Sequence, residues 1–171
     1  MIKIIIADDH AIVRKGLKQI LAAEGDMELV AEAADAAQLL ELFHKCSCDV
    51  LVLDISMPGK GGLDVLKELK SEHPHVAVLV LTMYPQDQYA VRALKAGAAG
   101  YLTKDSAAEE LITAIRRVAA GGKYINAALA ESLANHLESE TSRPPHENLS
   151  DREYEVLCKI GAGKTVSEIA D

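Results

Sequence analysis

The chain has 171 residues, 49% of them hydrophobic but only 4% aromatic, and a formal net charge of −8. At about 150 residues per domain this length holds one full domain and an additional piece, with an aliphatic core of the kind used by parallel α/β sheets. The charge excludes nucleic-acid binding by bulk electrostatics alone, no apolar run approaches the ~20 residues of a membrane span, and three cysteines make no disulfide framework.

In chain order, Ile2–Ala7 reads as a strand running into Asp8-Asp9, and Val13–Glu24 as an amphipathic helix. A strand over Glu28–Ala33 precedes a helix over Ala36–Lys45. The apolar run Val50–Leu53 ends in Asp54, followed by Ser56-Met57-Pro58-Gly59, a loop in which Pro presets φ. Leu63–Ser71 reads as a helix, Ala77–Thr82 as a strand, and Gln88–Ala96 as a helix stopped by Gly97. Gly100–Leu102 is a short strand leading to Thr103-Lys104. Ser106-Ala107-Ala108-Glu109 has the form of a capping box opening a helix that stops at Gly121-Gly122. Beyond it, Ala127–Glu138 reads as an Ala-rich helix and Glu140–Asn148 as a polar linker. Ser150-Asp151-Arg152-Glu153 is a second capping box, before Tyr154, Val156, Leu157 and Ile160 at helical spacing. Thr165 to Glu168 starts one more helix.

Five βα units in about 120 residues predict a doubly wound parallel sheet covered by helices on both faces. Ligands of such sheets sit beyond the carboxyl ends of the strands, which is where Asp8, Asp9, Asp54, Thr82 and Lys104 fall. Three carboxylates at close quarters repel and call for a cation; Mg²⁺ needs few protein oxygens because it keeps several waters. Lys104 can pair with a phosphoryl oxygen, Thr82 can offer a hydroxyl, and an aspartyl carboxylate is an acceptable nucleophile for phosphoryl transfer. Neither a Gly-rich dinucleotide fingerprint nor a Walker loop is present, so no nucleotide cofactor is expected. Taken singly, each residue has a plainer reading: Asp8 and Asp9 as caps of a helix at Ala11, Lys104 as a surface lysine, Tyr101 as a half-buried strand aromatic. Cys46 and Cys48 read as reduced thiols at a helix end, and His44, His73, His75, His136 and His146 show no ligand spacing. His10 stands either beside the pocket or toward solvent.

The set Ala7-Asp8-Asp9-His10, Asp54-Ile55-Ser56-Met57-Pro58, Gly62, Thr82 and Lys104 resembles the receiver domain of a two-component response regulator of the NarL/FixJ type. Leu149 to Glu153 together with Gly163-Lys164-Thr165 resembles the opening of a LuxR-type helix-turn-helix. The resemblance implies a flavodoxin-like receiver with strand order 2-1-3-4-5 over residues 1–121, a helical linker over 122–147, and the N-terminal part of a helix-turn-helix output domain over 148–171. Asp54 would be the phosphoacceptor, phosphorylated by a sensor histidine kinase. Asp9 would hold Mg²⁺ directly, Asp8 through water, and the Ser56 backbone carbonyl would supply a further ligand. Lys104 would contact the phosphoryl group, while Thr82 and Tyr101 would form the switch.

Two positions depart from the receiver pattern. Asp105 follows Lys104 where many receivers have a cis proline, and a trans bond is expected, since cis before Asp costs ~3 kcal/mol. The recognition helix of the output domain is absent from the sequence, and residues 148–171 carry three basic against five acidic side chains. Specific DNA binding is therefore expected of the full-length protein only. A homodimer suits palindromic sites, and with a strand entered directly at the N-terminus a cytoplasmic location is expected. Two other functions compete: a phosphate-independent interaction module, and an aspartyl-phosphate hydrolase. The hydrolase is disfavoured because Ser56 stands where such enzymes place a second Asp.

Overall fold

The computed structural model describes residues 1–58, 60–83, 87–106, 108–126, 129–131, 134, 149–161, 163 and 165. Strands β1 (Ile2–Ala7), β2 (Met27–Ala33), β3 (Val50–Leu53), β4 (Ala77–Thr82) and β5 (Gly100–Thr103) form one sheet in the order β2-β1-β3-β4-β5. Every pairing is parallel. The expected order 2-1-3-4-5 is thus the observed one, and strand order reverses at β1 and β3, which opens a crevice at their carboxyl ends.

Side chains alternate along each strand, so two apolar layers form. Ile4, Ile6, Val50, Val52, Leu79 and Leu102 pack on α1 (Ala11–Ala22) and α5 (Ala108–Ala119). Ile5, Leu51, Leu53, Val80 and Tyr101 pack on α2 (Ala36–Phe43), α3 (Gly62–Glu72) and α4 (Asp87–Lys95). Burying one such aliphatic side chain contributes ~1.5–3 kcal/mol, so these layers supply most of the stabilisation. They explain why the strands read as unbroken apolar runs.

Boundaries moved by a residue or two where local chemistry competes. α1 starts at Ala11 rather than Val13, with His10 as N-cap and no side-chain cap bond. Asp8 therefore does not cap Ala11; its Oδ1 accepts from His10 N at 2.8 Å. Helix α2 ends at Phe43 rather than Lys45, and β5 gains Thr103 by pairing with Thr82. Asp35 caps α2 by accepting from Gln38 N at 2.8 Å. The Ser106 capping box includes Ala107, which lies outside the described residues.

Helix α3 begins on a close approach. A Cβ on Gly62 would stand 2.3 Å from Ile55 O and 2.4 Å from Ile55 Cα, so only glycine lets α3 pack on the loop that carries Ser56. At the opposite edge, Tyr124 forms a parallel bridge to Gly100, and Leu129 is fully buried in the layer beneath α4. The chain after α5 thus covers the free edge of β5. Of the predicted helix over Ala127–Glu138, residues 129–131 and 134 are described and helical; the linker over Glu140–Asn148 lies outside the described residues.

The second capping box forms as expected before α6 (Asp151–Gly161): Ser150 N donates to Glu153 Oε2 at 2.7 Å. The bonds from Ser150 hold the Glu153 carboxyl below its usual range. The helix expected from Thr165 onward falls outside the described residues except Thr165 itself. No helix among the described residues is long and apolar enough to cross a membrane.

Candidate functional site

Backbone bonds that prolong the sheet carry the polar residues past the strand ends. Asp8 N donates to Ala33 O at 3.1 Å, Asp54 N to Ala7 O at 2.8 Å, and Lys104 N to Thr82 O at 2.9 Å. Each residue is thereby fixed one step beyond its strand, and the three side chains meet in the crevice. Asp8 and Asp54 are each 1% exposed and Thr82 is 0% exposed. Buried carboxylates require partners.

Lys104 supplies one. Its Nζ lies 2.5 Å from Asp54 Oδ2 and 2.8 Å from Asp8 Oδ2. Burial pulls the Lys104 pKa down, but its hydrogen bond to Asp54 and the close negative charges of Asp54 and Asp8 outweigh it, and the net direction is upward. The ammonium is therefore held charged between two carboxylates. The other oxygen of Asp54, Oδ1, accepts from Ser56 N at 2.8 Å and from the Ser56 hydroxyl. Both Asp54 oxygens are thus pinned, which fixes the carboxylate plane.

Donors are fewer around the remaining acids. Asp8 Oδ2 and Asp9 Oδ1 are buried atoms with no hydrogen bond. Their nearest side-chain nitrogens, Lys104 Nζ and His10 Nδ1, approach to 2.8 and 2.7 Å without hydrogen-bond alignment. Among the described residues, Asp8, Asp9, His10 and Asp54 offer ligand atoms that all lie within 4.8 Å of one another. Oxygen atoms lacking donors, clustered at that spacing, suit a hard divalent cation.

Asp8, Asp9, Asp54 and Lys104 therefore meet at one rim, and Thr82 closes the neighbouring strand β4, whereas Tyr101 lies away from it. Tyr101 is fully buried, not half-buried, and lies in the layer between the sheet and α4. The Lys104–Asp105 bond is trans, as expected. Three contacts escaped the sequence reading. The Ser56 hydroxyl bonds Asp54, a link that their two-residue spacing could have suggested. His10 reaches Asp9 from the start of α1 while its side chain stays 60% exposed. Arg14, one turn further on, donates to Asp8 O at 2.5 Å and approaches Glu32 at 4.0 Å.

Residues 4–116 match the family described as the response regulator receiver domain. The chain is 40% identical over 177 residues to the oxygen regulatory protein NreC of Staphylococcus epidermidis, an alignment spanning 99% of this chain and 81% of that protein. A crystal structure of a LuxR-family two-component response regulator from Aurantimonas sp. SI85-9A1 superposes with a TM-score of 0.75 at 32% identity, over 80% of this chain and 98% of that one. RcsB from Salmonella enterica serovar Typhimurium, solved bound to promoter rprA with the phosphomimetic BeF3-, gives a TM-score of 0.74 at 27% identity over 99% of this chain and 81% of that one.

Proposed function

The chain belongs to the response regulator family through its receiver domain, and from that premise we propose that Asp54 accepts a phosphoryl group from a sensor histidine kinase. The protein is a response regulator of transcription. The observation that supports this reading most is the crevice in which Asp54 stands with both oxygens held, beside acid oxygens that lack donors.

An Asp54 carboxylate oxygen attacks phosphorus in line, and a P–O bond forms as the P–N bond to the kinase imidazole breaks. The imidazole nitrogen keeps the electron pair, and Asp54 becomes a mixed anhydride. The arriving group takes the place of Asp54 Oδ2 at Lys104, whose ammonium pairs with a phosphoryl oxygen. Asp9, Asp8, Asp54 and the Ser56 carbonyl would hold Mg²⁺, which when bound screens the anionic donor from the anionic nucleophile. The Thr82 hydroxyl turns to a phosphoryl oxygen, and Tyr101 repacks with it toward the surface between α4 and β5. The chain catalyses at most its own phosphorylation and dephosphorylation.

Residues 1–121 act as the receiver, 122–147 as a linker, and 148–171 as the opening of a LuxR-type output domain. We assign the protein to the cytoplasm, with DNA as partner of the full-length form and a homodimer as the assembly that suits two-fold sites. The DNA complex described for RcsB supports that assignment. Intact-mass spectrometry after incubation with acetyl phosphate and Mg²⁺ tests the chemistry. One added phosphate is expected on the parent and none on Asp54→Asn or without Mg²⁺; equal addition to the variant would overturn it.

A further inference from the structure

His10 brings an imidazole to a crevice whose other metal-ligating side chains are carboxylates. Among the described residues, Asp8, Asp9, His10 and Asp54 offer ligand atoms within 4.8 Å of one another. Ligands on opposite sides of an ion bound at about 2.1 Å stand about 4.2 Å apart. A group of this span closes on a single ion through small side-chain turns.

The His10 nitrogen is placed as a ligand rather than as a hydrogen-bond donor. Its Nδ1 lies 2.7 Å from Asp9 Oδ1 and 3.3 Å from Asp8 Oδ1. Asp9 Oδ1 is nevertheless a buried atom with no hydrogen bond, so the two atoms stand side by side without being aimed at each other. Neighbouring ligands of an octahedral ion stand about 3 Å apart at the same bond length, and the pair has that relation. Asp8 points to the same ligand independently. It is 1% exposed, and its Oδ2 is also buried without a hydrogen bond.

The backbone holds the loop while leaving the ring uncommitted. His10 N donates to Asp8 Oδ1 at 2.8 Å, and Arg14 donates to Asp8 O at 2.5 Å. His10 is the N-cap residue of α1 but makes no side-chain cap bond, and its side chain is 60% exposed. Turning Nδ1 onto an ion therefore costs neither the helix nor the core a contact.

An imidazole changes which ion a site prefers. Carboxylate, carbonyl and water oxygens suit Mg²⁺, whereas imidazole suits Fe²⁺, Ni²⁺ and Zn²⁺. We propose that His10 Nδ1 is a metal ligand of this crevice, and that through it the site takes nitrogen-seeking transition-metal dications in preference to Mg²⁺, which uses the oxygens alone. The proposal rests on the reading of Asp8, Asp9 and Asp54 as a divalent-cation site.

Mn²⁺ is the probe, because its paramagnetism reports both its binding and the nuclei bound to it. Electron spin-echo modulation of the full chain loaded with Mn²⁺ shows the ¹⁴N coupling of a directly bound imidazole in the parent and lacks it in His10→Asn. Asn is itself a favoured N-cap, so α1 is retained in that variant. Displacement of the bound Mn²⁺ by Zn²⁺ and by Mg²⁺ then gives both affinities. In His10→Asn the dissociation constant for Zn²⁺ rises at least about tenfold, the lower end of what losing even an outer-shell partner costs, while that for Mg²⁺ is unchanged. Mn²⁺ that binds and yields to Mg²⁺ but shows no nitrogen coupling overturns the role of His10 alone. Coupling that persists in His10→Asn, or an unchanged Zn²⁺ affinity, does the same. Mn²⁺ that fails to bind the parent, or that binds Asp9→Asn equally well, overturns the cation site and the His10 proposal with it.

Discussion

Lys104 Nζ stands 2.5 Å from Asp54 Oδ2, and the backbone of each residue is hooked to a neighbouring strand, Lys104 N to Thr82 O and Asp54 N to Ala7 O. One ammonium thus neutralises a carboxylate reached 50 residues earlier in the chain. It also lies 2.8 Å from Asp8 Oδ2. Lys104 is therefore a counter-ion of the resting site as well as a candidate contact for the phosphoryl group.

Removing that counter-ion leaves two buried carboxylates facing each other. Lys104→Gln is expected to lose ~3 kcal/mol of stability at neutral pH, the scale for breaking a buried pair from one side. Asp54→Asn, which keeps the Asp8–Lys104 pair, loses less. Urea unfolding of both variants in chelator checks the order. The Lys104 contribution has a defined pH sign: with its pKa raised from 10.5, it is fully present below 10.5 and is lost as pH rises through the raised value.

Divalent cations should stabilise the fold through the acid oxygens that lack donors. At about 100 times the dissociation constant, Mg²⁺ raises stability by ~2.7 kcal/mol if it binds the folded state alone. Asp9→Asn and Asp8→Asn each reduce that gain. Thermal melts at graded Mg²⁺ read the effect, and a gain unchanged in both variants would place the ion elsewhere.

Gly62→Ala puts a methyl group on backbone atoms of Ile55 at 2.3–2.4 Å, where no side-chain rotation relieves it. A loss of ~3 kcal/mol or more is expected, at the upper end of overpacking effects. The Ile55–Ser56 turn would shift with it, so phosphate uptake should slow as well. A denaturation midpoint within error of the parent would show that α3 can retreat from the loop.

Cys48 makes the protein sensitive to alkali. Burial pushes its thiol from 9.0 up to about 12, so unfolding releases a proton that folding retains. Below pH 9.0 its contribution is complete; it declines as pH rises from 9.0 toward about 12. Between pH 8 and pH 10 the parent should lose about 1 kcal/mol from this source. Cys48→Ala, though less stable at pH 8, should lose correspondingly less over the same interval in urea titrations.

The strands were legible because burial on both faces leaves continuous apolar runs: β1, β3 and β4 have the predicted ends. Helix ends were less so, since His10 caps α1 by backbone alone. Asp8, Asp9, Asp54, Thr82 and Lys104 could be placed together because parallel strands deliver their carboxyl ends to one rim. The pairing among them could not be read. That Lys104 bridges Asp54 and Asp8, that Tyr124 returns along β5, and that Tyr154 lies on Tyr89 are all set by three-dimensional packing between residues far apart in sequence. No local periodicity encodes such contacts.

Chemical trapping of the modified residue tests the central claim most directly. Borohydride reduces an aspartyl phosphate to homoserine, so the phosphorylated protein, reduced and digested, should yield the peptide containing position 54 with homoserine in place of Asp54. Homoserine at position 8 or 9, or phosphate added to the chain with Asp54 unconverted, would contradict the account.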